Sequence, residues 1–206
     1  MTEGYEVLKS TERLRNRVFA IVTDELRMPD GSVAERDYMR HVGSVGVVAL
    51  DDADRVVLVR QYRHPLGGTI WELPAGLIDV PGEPLVDAAA RELAEEVDLC
   101  AGRYDLLADA NPSPGCSDEV IRLFLARGLS PVPEGLRHAR VGEEAELVTV
   151  RMDLDQAVAM ALRGEITNAA CMVGLFATAR LRDQGWPEPR PLGQPLPRNP
   201  LAPVEP

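Results

Sequence analysis

The stretch that most constrains this chain is Arg91-Glu92-Leu93-Ala94-Glu95-Glu96, which sits inside a segment that reads as a helix and is electrostatically awkward there. Val86, Ala89, Ala90, Leu93 and Val97 recur at three- and four-residue spacing across residues 84–97, the pattern of one buried helical face. Pro84 suits the first helical position. On such a helix Glu92 lies three residues before Glu95 and four before Glu96, so three carboxylates crowd neighbouring positions. Each like-charge pair costs roughly 0.2–0.5 kcal/mol. A solvated face with Arg91 reaching Glu95 as an i,i+4 pair is one account of the pattern, and the flanking residues decide whether it suffices.

The flanks are strand-rich. VFAIVTDEL reads as a strand, and MPDG at 28–31 reads as a turn. SVGVVAL and RVVLVRQYR are β-branched runs around an acidic turn at 51–54, which predicts a hairpin. TIWELPAG predicts a further strand ending at Gly76, and VIRLFLARGL and AELVTVRM two more. Leu154, Ala157, Val158, Ala161 and Leu162 mark an amphipathic helix. Residues 168–182 are apolar on most faces and should be buried or pack in an interface. Hairpins interleaved with helices give an α+β or layered α/β fold with a mixed sheet.

The acidic helix has a fixed context. Gly76 is followed by six residues, Glu83, seven residues, and then the Arg91–Glu96 run. This resembles the Nudix box, G-x5-E-x7-R-E-U-x-E-E-x-G-U, with two departures. The loop after Gly76 is one residue longer, and the last glycine is Asp98. The extra residue precedes the helix, so it should not move the carboxylates. Asp98 falls where a left-handed backbone is often needed, and Asp tolerates that conformation better than most non-glycine residues. The resemblance spans roughly residues 40–180. It implies a Nudix α/β/α sandwich over 41–184, with a short β-rich N-terminal arm over 1–40.

Splitting a pyrophosphate adds water to a phosphorus surrounded by negative oxygens, and divalent metals neutralise that charge. Magnesium takes oxygen ligands in octahedral geometry, and a row of helix glutamates supplies them from a rigid frame. The resemblance implies Mg2+, with Mn2+ as a substitute. It implies Glu92 and Glu96 as main ligands, Glu95 assisting, and the carbonyl of Ala75 as a further ligand. It gives Arg91 the task of orienting the glutamates, and Glu83 the same task from the loop.

The box does not name a substrate. WELPAG, the box itself, NPSPGCSDE and RQYRHPLG resemble the ADP-ribose pyrophosphatase branch, in the manner of its actinobacterial members, and Pro114 lies fifteen residues past Leu99. On that resemblance Arg63 is a phosphate or terminal-ribose contact, Glu72 accepts from the adenine amino group, and Arg60 is a further substrate residue. The plainer readings are an exposed strand arginine at 60, a structural partner at Glu72, and core or interface packing for Trp71. The branch takes its catalytic base from a mobile loop, and GEEAEL at 142–147 lies in the matching place. Glu143 and Glu144 are the candidates, Glu146 a weaker one, and a solvated charged turn the plain alternative. His41, His64 and His138 show no ligand spacing; His64 adjoins Arg63 and so could lie near the site, but a surface histidine is the default expectation. Relatives commonly form homodimers through the N-terminal arm, so a homodimer is expected here.

Net charge is -11, which argues against nucleic-acid and anionic-membrane partners. A polyanionic substrate must then be held by local arginines or metal. Three cysteines, no CxxC, no apolar leader in MTEGYEVLKS and no membrane-length apolar run point to a cytoplasmic protein. From Pro187 onward 8 of 20 residues are proline, so the tail over 185–206 should be extended or disordered. The leading function is Mg-dependent hydrolysis of ADP-ribose to AMP and ribose 5-phosphate. The alternatives are another nucleoside diphosphate sugar, or a non-catalytic ADP-ribose-binding module. Such modules often lose box glutamates and carry a DNA-binding domain, whereas all three glutamates are present here.

Overall fold

The computed structural model describes residues 4–140, 146–198 and 200–201. The first three strands, β1 (Glu6–Arg15), β2 (Phe19–Arg27) and β3 (Val33–His41), form an antiparallel sheet of their own. The expected turn joins β2 to β3. Met28 N–H donates to the Ser32 carbonyl at 2.7 Å, and Gly31 takes φ +83°.

The body holds two further sheets. β4 (Ser44–Ala49) lies between β7 (Ala75–Leu77), antiparallel, and β9 (Ile121–Pro131), parallel, with β8 (Leu99–Ala110) outside β9. β5 (Arg55–Arg63) lies between β6 (Gly68–Glu72) and β10 (Val148–Asp153). Strand residues alternate between two apolar layers. Val45, Val47, Ala49, Val57 and Val59 face the helix α1 (Leu85–Val97), and Val48, Leu50, Val56 and Leu58 face α2 (Leu154–Leu162) and α3 (Ala169–Asp183). The result is the helix–sheet–helix sandwich with mixed strands that the sequence implies. In α3 one face is buried, through Cys171, Gly174, Leu175 and Thr178, and the others are half-buried or exposed. Gly174 permits the close approach, because an added Cβ would stand 2.8 Å from both Leu73 and Val48.

The structure corrects the predicted hairpin of β4 with β5. The tight turn forms, with Asp51 N–H donating to the Arg55 carbonyl at 2.9 Å and Leu50 bridging Val56. Beyond it the strands part into different sheets. All six residues of β4 are buried, and its two edges are taken by β7 and β9, leaving none for β5. The single strand predicted from TIWELPAG is likewise two. Pro74 has no N–H to continue a ladder, and its carbonyl accepts from Val47 N–H at 2.8 Å. The chain thus leaves β5 after Glu72 and joins β4 at Ala75. This step between sheets carries the box glycine. β8 has no counterpart among the predicted strands. Gly102 and a bulge between Leu106 and Ala108 interrupt the alternation that would have revealed it.

Pro84 caps α1 rather than opening it. Asp98 at the other end adopts φ 56°, ψ 37°, the left-handed conformation anticipated for the residue in the glycine's place. Among the described residues no helix is long and apolar enough to cross a membrane.

Candidate active site

The strand change at Pro74 sets Ala75 and Gly76 against the acidic face of α1. Glu96, only 7% exposed, accepts a hydrogen bond from Ala75 N–H at 2.9 Å. Glu92 lies directly over Gly76: a Cβ added there would stand 1.9 Å from the Glu92 carboxyl carbon. Glycine leaves the carboxylate this place, and a side chain here would displace the Glu92 carboxylate from it. Arg91 gathers the surrounding acids. It donates to both oxygens of Glu83 at 3.1 Å, to Glu92 at 2.5 Å and to Glu95 at 3.5 Å. The Glu83 hydrogen bonds chiefly raise the guanidinium's pKa above its ordinary value. Asp79 stands 3.9 Å from Arg91 and is also paired with Arg17 of the arm at 3.0 Å.

Burial pushes the Glu92 carboxyl above the usual carboxylate range, with Glu95 and Asp79 adding to the rise and Arg91 opposing it. Among the described residues no three His, Cys, Asp or Glu side chains converge as a ready-made ligand cluster. The donor set nevertheless suits a hard divalent cation. One buried carboxylate (Glu96), a half-buried one (Glu92), a third that is 35% exposed (Glu95), and a strand-end backbone meet around one glycine. Their mutual repulsion is relieved by one arginine only in part.

Gly76 and Ala75 also line a cavity of about 500 Å³, together with Arg63, Glu72, His41, Ser44 and Glu119. Arg63 and Glu72, read from the sequence as separate contacts, are paired with each other at 2.8 and 2.5 Å. They lie on the adjacent strands β5 and β6, with Arg63 opposite Gly68 and Glu72 opposite Val59, so the long side chains span the ladder diagonally to meet. Glu72 is buried, and the Arg63 side chain is 43% exposed. Arg60 is exposed, lies 5.7 Å from the Trp71 ring and does not line the cavity. Trp71 itself packs half-buried against the core. Glu143 and Glu144 lie outside the described residues, and Glu146 is exposed. Arg140, just before that segment, donates to the Glu95 carbonyl at 3.0 Å and pairs with the Asp98 carboxylate.

Sequence reasoning missed the other part of the lining. His41, expected to be exposed, is buried. Its Nδ1 accepts from Gly43 N–H at 3.0 Å and lies 4.0 Å from Glu119. The Ser44 hydroxyl donates to Glu119 at 3.3 Å, and Asp118 accepts from His41 N–H at 2.7 Å. The only sequence signal was the SDE ending of NPSPGCSDE, which marks a segment without choosing a residue. His41 ends β3 and Glu119 precedes β9, and an isolated bridge between Met39 and Ser117 joins their neighbours.

A family model described as NUDIX domain matches residues 40–172. The chain is 40% identical over 188 residues to an ADP-ribose pyrophosphatase of Mycobacterium tuberculosis, covering 91% of this chain and 89% of that one. It is 33% identical over 153 residues to a methanol dehydrogenase activator of Bacillus methanolicus, covering 74% and 80%. A crystal structure of an ADP compounds hydrolase superposes with a TM-score of 0.74 at 25% identity, over 89% of this chain and 97% of that one.

Proposed function

The chain belongs to the Nudix family, and from that premise we propose that it hydrolyses the pyrophosphate bond of ADP-ribose, with magnesium, to AMP and ribose 5-phosphate. The observation that carries this reading is the seating of Glu92 and Glu96 on the Ala75–Gly76 step, at the lining of a cavity that also holds Arg63. Glu92 and Glu96 would hold the metal, assisted by Glu95 and the Ala75 carbonyl. Bound there, magnesium supplies charge neutralisation to the pyrophosphate oxygens. Arg91 keeps the glutamates in place through its bonds to Glu83, Glu92 and Glu95. Arg63, fixed by Glu72, presents guanidinium N–H groups to phosphate or ribose oxygens. In a chain of net charge -11 this local cation matters for a polyanionic ligand. Glu72 offers a buried acceptor beside it, and Glu143 or Glu144 takes the proton from the attacking water. Arg60, on the exposed face of β5, fits this scheme least well.

The test is a panel of nucleotide sugars with magnesium, read by phosphate release after phosphatase coupling. ADP-ribose should be the best substrate, manganese should substitute, and excess chelator should abolish the reaction. Full turnover in chelator would overturn the metal assignment. Preference for another sugar would favour the second reading, a different nucleoside diphosphate sugar, which the differently named Bacillus methanolicus relative keeps open.

The same reading makes the protein a homodimer. Tyr5, Val7, Leu8 and Leu14 of the β1 region are large apolar side chains left exposed, and a second copy pairing with the arm would cover them. Sedimentation at micromolar concentration should give twice the 22.5 kDa chain mass, and an active monomer would contradict it. Three free cysteines suit a reducing cytoplasm.

A further inference from the structure

The proline-rich tail lies beyond the residues matched by the family model, and the reaction as described makes no use of it. Among its described residues it carries no helix or strand beyond one bridge, between Arg190 and Leu106, yet several of them are tied down. Trp186 takes φ 58° and lies under the Arg127 guanidinium at 4.7 Å. Arg190 pairs with Asp109 at 2.8 Å. The same Asp109 pairs with Arg122 at 2.7 Å, and Arg122 is 1% exposed. Arg122 also donates to the carbonyls of Gln194 at 2.5 Å and Pro195 at 3.1 Å. A buried guanidinium needs acceptors for its whole fork, and the tail backbone supplies two of them. A proline-rich segment is suited to this, because its carbonyls are not committed to a ladder or a helix.

Residues 198, 200 and 201 of the tail reach the cavity lining. Arg198 stands 3.3 Å from Asp118, which also meets Arg40 at 3.5 Å. Leu201 N–H donates to the His41 carbonyl at 2.8 Å. Its side chain, 3% exposed, packs with Ala20, Val22 and Val42. Pro200 lies against Gly43, where an added Cβ would stand 3.3 Å from it. His41, Gly43 and Asp118 belong to, or adjoin, the cavity-lining group of His41, Ser44 and Glu119.

We propose that the C-terminal tail is a positioning strap for the substrate cavity: anchored by Arg122, it holds His41 and Glu119 in place through Leu201 and Arg198, and so sets substrate affinity rather than the chemical step. This rests on the reading that the cavity takes the nucleotide sugar. Arg198 and Leu201 are positioning residues, since they act through Asp118 and His41.

The test uses the full chain carrying Arg198→Ala together with Leu201→Ser. Amide hydrogen exchange should rise at residues 40–44 and 117–121 and stay unchanged in α1, because loss of local contacts opens local structure. KM for ADP-ribose should rise on the order of ten-fold with kcat within about two-fold, the pattern of lost uniform binding. Arg198→Lys, with Leu201 retained, should restore both. Unchanged exchange in the two segments would overturn the strap whatever the activity. So would raised exchange with unchanged KM, or a fall in kcat equal to that in kcat/KM. If the wild-type chain prefers another nucleotide sugar, the function reading falls, while the exchange result and the KM for that sugar still decide the strap.

Discussion

Glu96→Gln and Glu92→Gln should each lower turnover on the order of 10³-fold, because a metal ligand contributes several kcal/mol of charge stabilisation and each 1.36 kcal/mol is tenfold in rate. Both variants should stay folded. A glutamine at 96 still offers an oxygen to Ala75 N–H, the bond that Glu96 makes at 2.9 Å. A glutamine at 92 removes a charge that burial, Glu95 and Asp79 all disfavour, so in chelator the melting temperature should be unchanged or higher. Gly76→Ala should reach a comparable loss by another route. Its methyl would stand 1.9 Å from the Glu92 carboxyl carbon, so the carboxylate must move while its charge is kept. Turnover near wild type in Glu96→Gln, or unfolding of that variant, would remove the assignment.

The Glu143→Gln, Glu144→Gln double variant should lose about 10²–10⁴-fold in turnover, the usual range for loss of a general base. Metal and substrate should bind as before. The helix glutamates are occupied with Arg91, Ala75 and the proposed cation, so the proton of the attacking water must go elsewhere. Arg140, the described residue before this segment, is bound to the Glu95 carbonyl and to Asp98. Arg140 itself is therefore held beside the acidic end of α1. Gly142 provides backbone freedom of the kind a closing loop uses. Turnover and affinity should be measured separately for the two single variants and the double. Wild-type turnover in the double variant would move the base to a helix glutamate or to metal-bound water.

The site was legible where its residues are close in sequence, and much less so where they are not. Helix periodicity alone puts Glu92, Glu95 and Glu96 on one helix face and Asp98 in a left-handed turn. The pairing of Arg63 with Glu72 is not visible in the sequence, although the sequence marks both residues as candidate contacts. It depends on how β5 and β6 register, and either residue alone looks like a free ligand group. His41 was assigned to the surface because a lone histidine carries no pattern. Its burial comes from the Met39–Ser117 bridge and from Leu201, which lies 160 positions away in the chain.

By itself the sequence determined the helix with its acidic and apolar faces, the glycine and glutamate spacing of the box, most of the strands and the layered class of the fold. These follow from helix and strand periodicity, which acts over a few residues and is insensitive to what lies beyond. Only the tertiary structure decided that β4 and β5 part after their turn, that Pro74 hands the chain from one sheet to the other, and that the tail returns along Arg122 to the cavity. Each of these depends on which strand edges and buried donors remain open once the core has formed. Competition for such partners is settled by long-range burial, and a local pattern of residues does not record it.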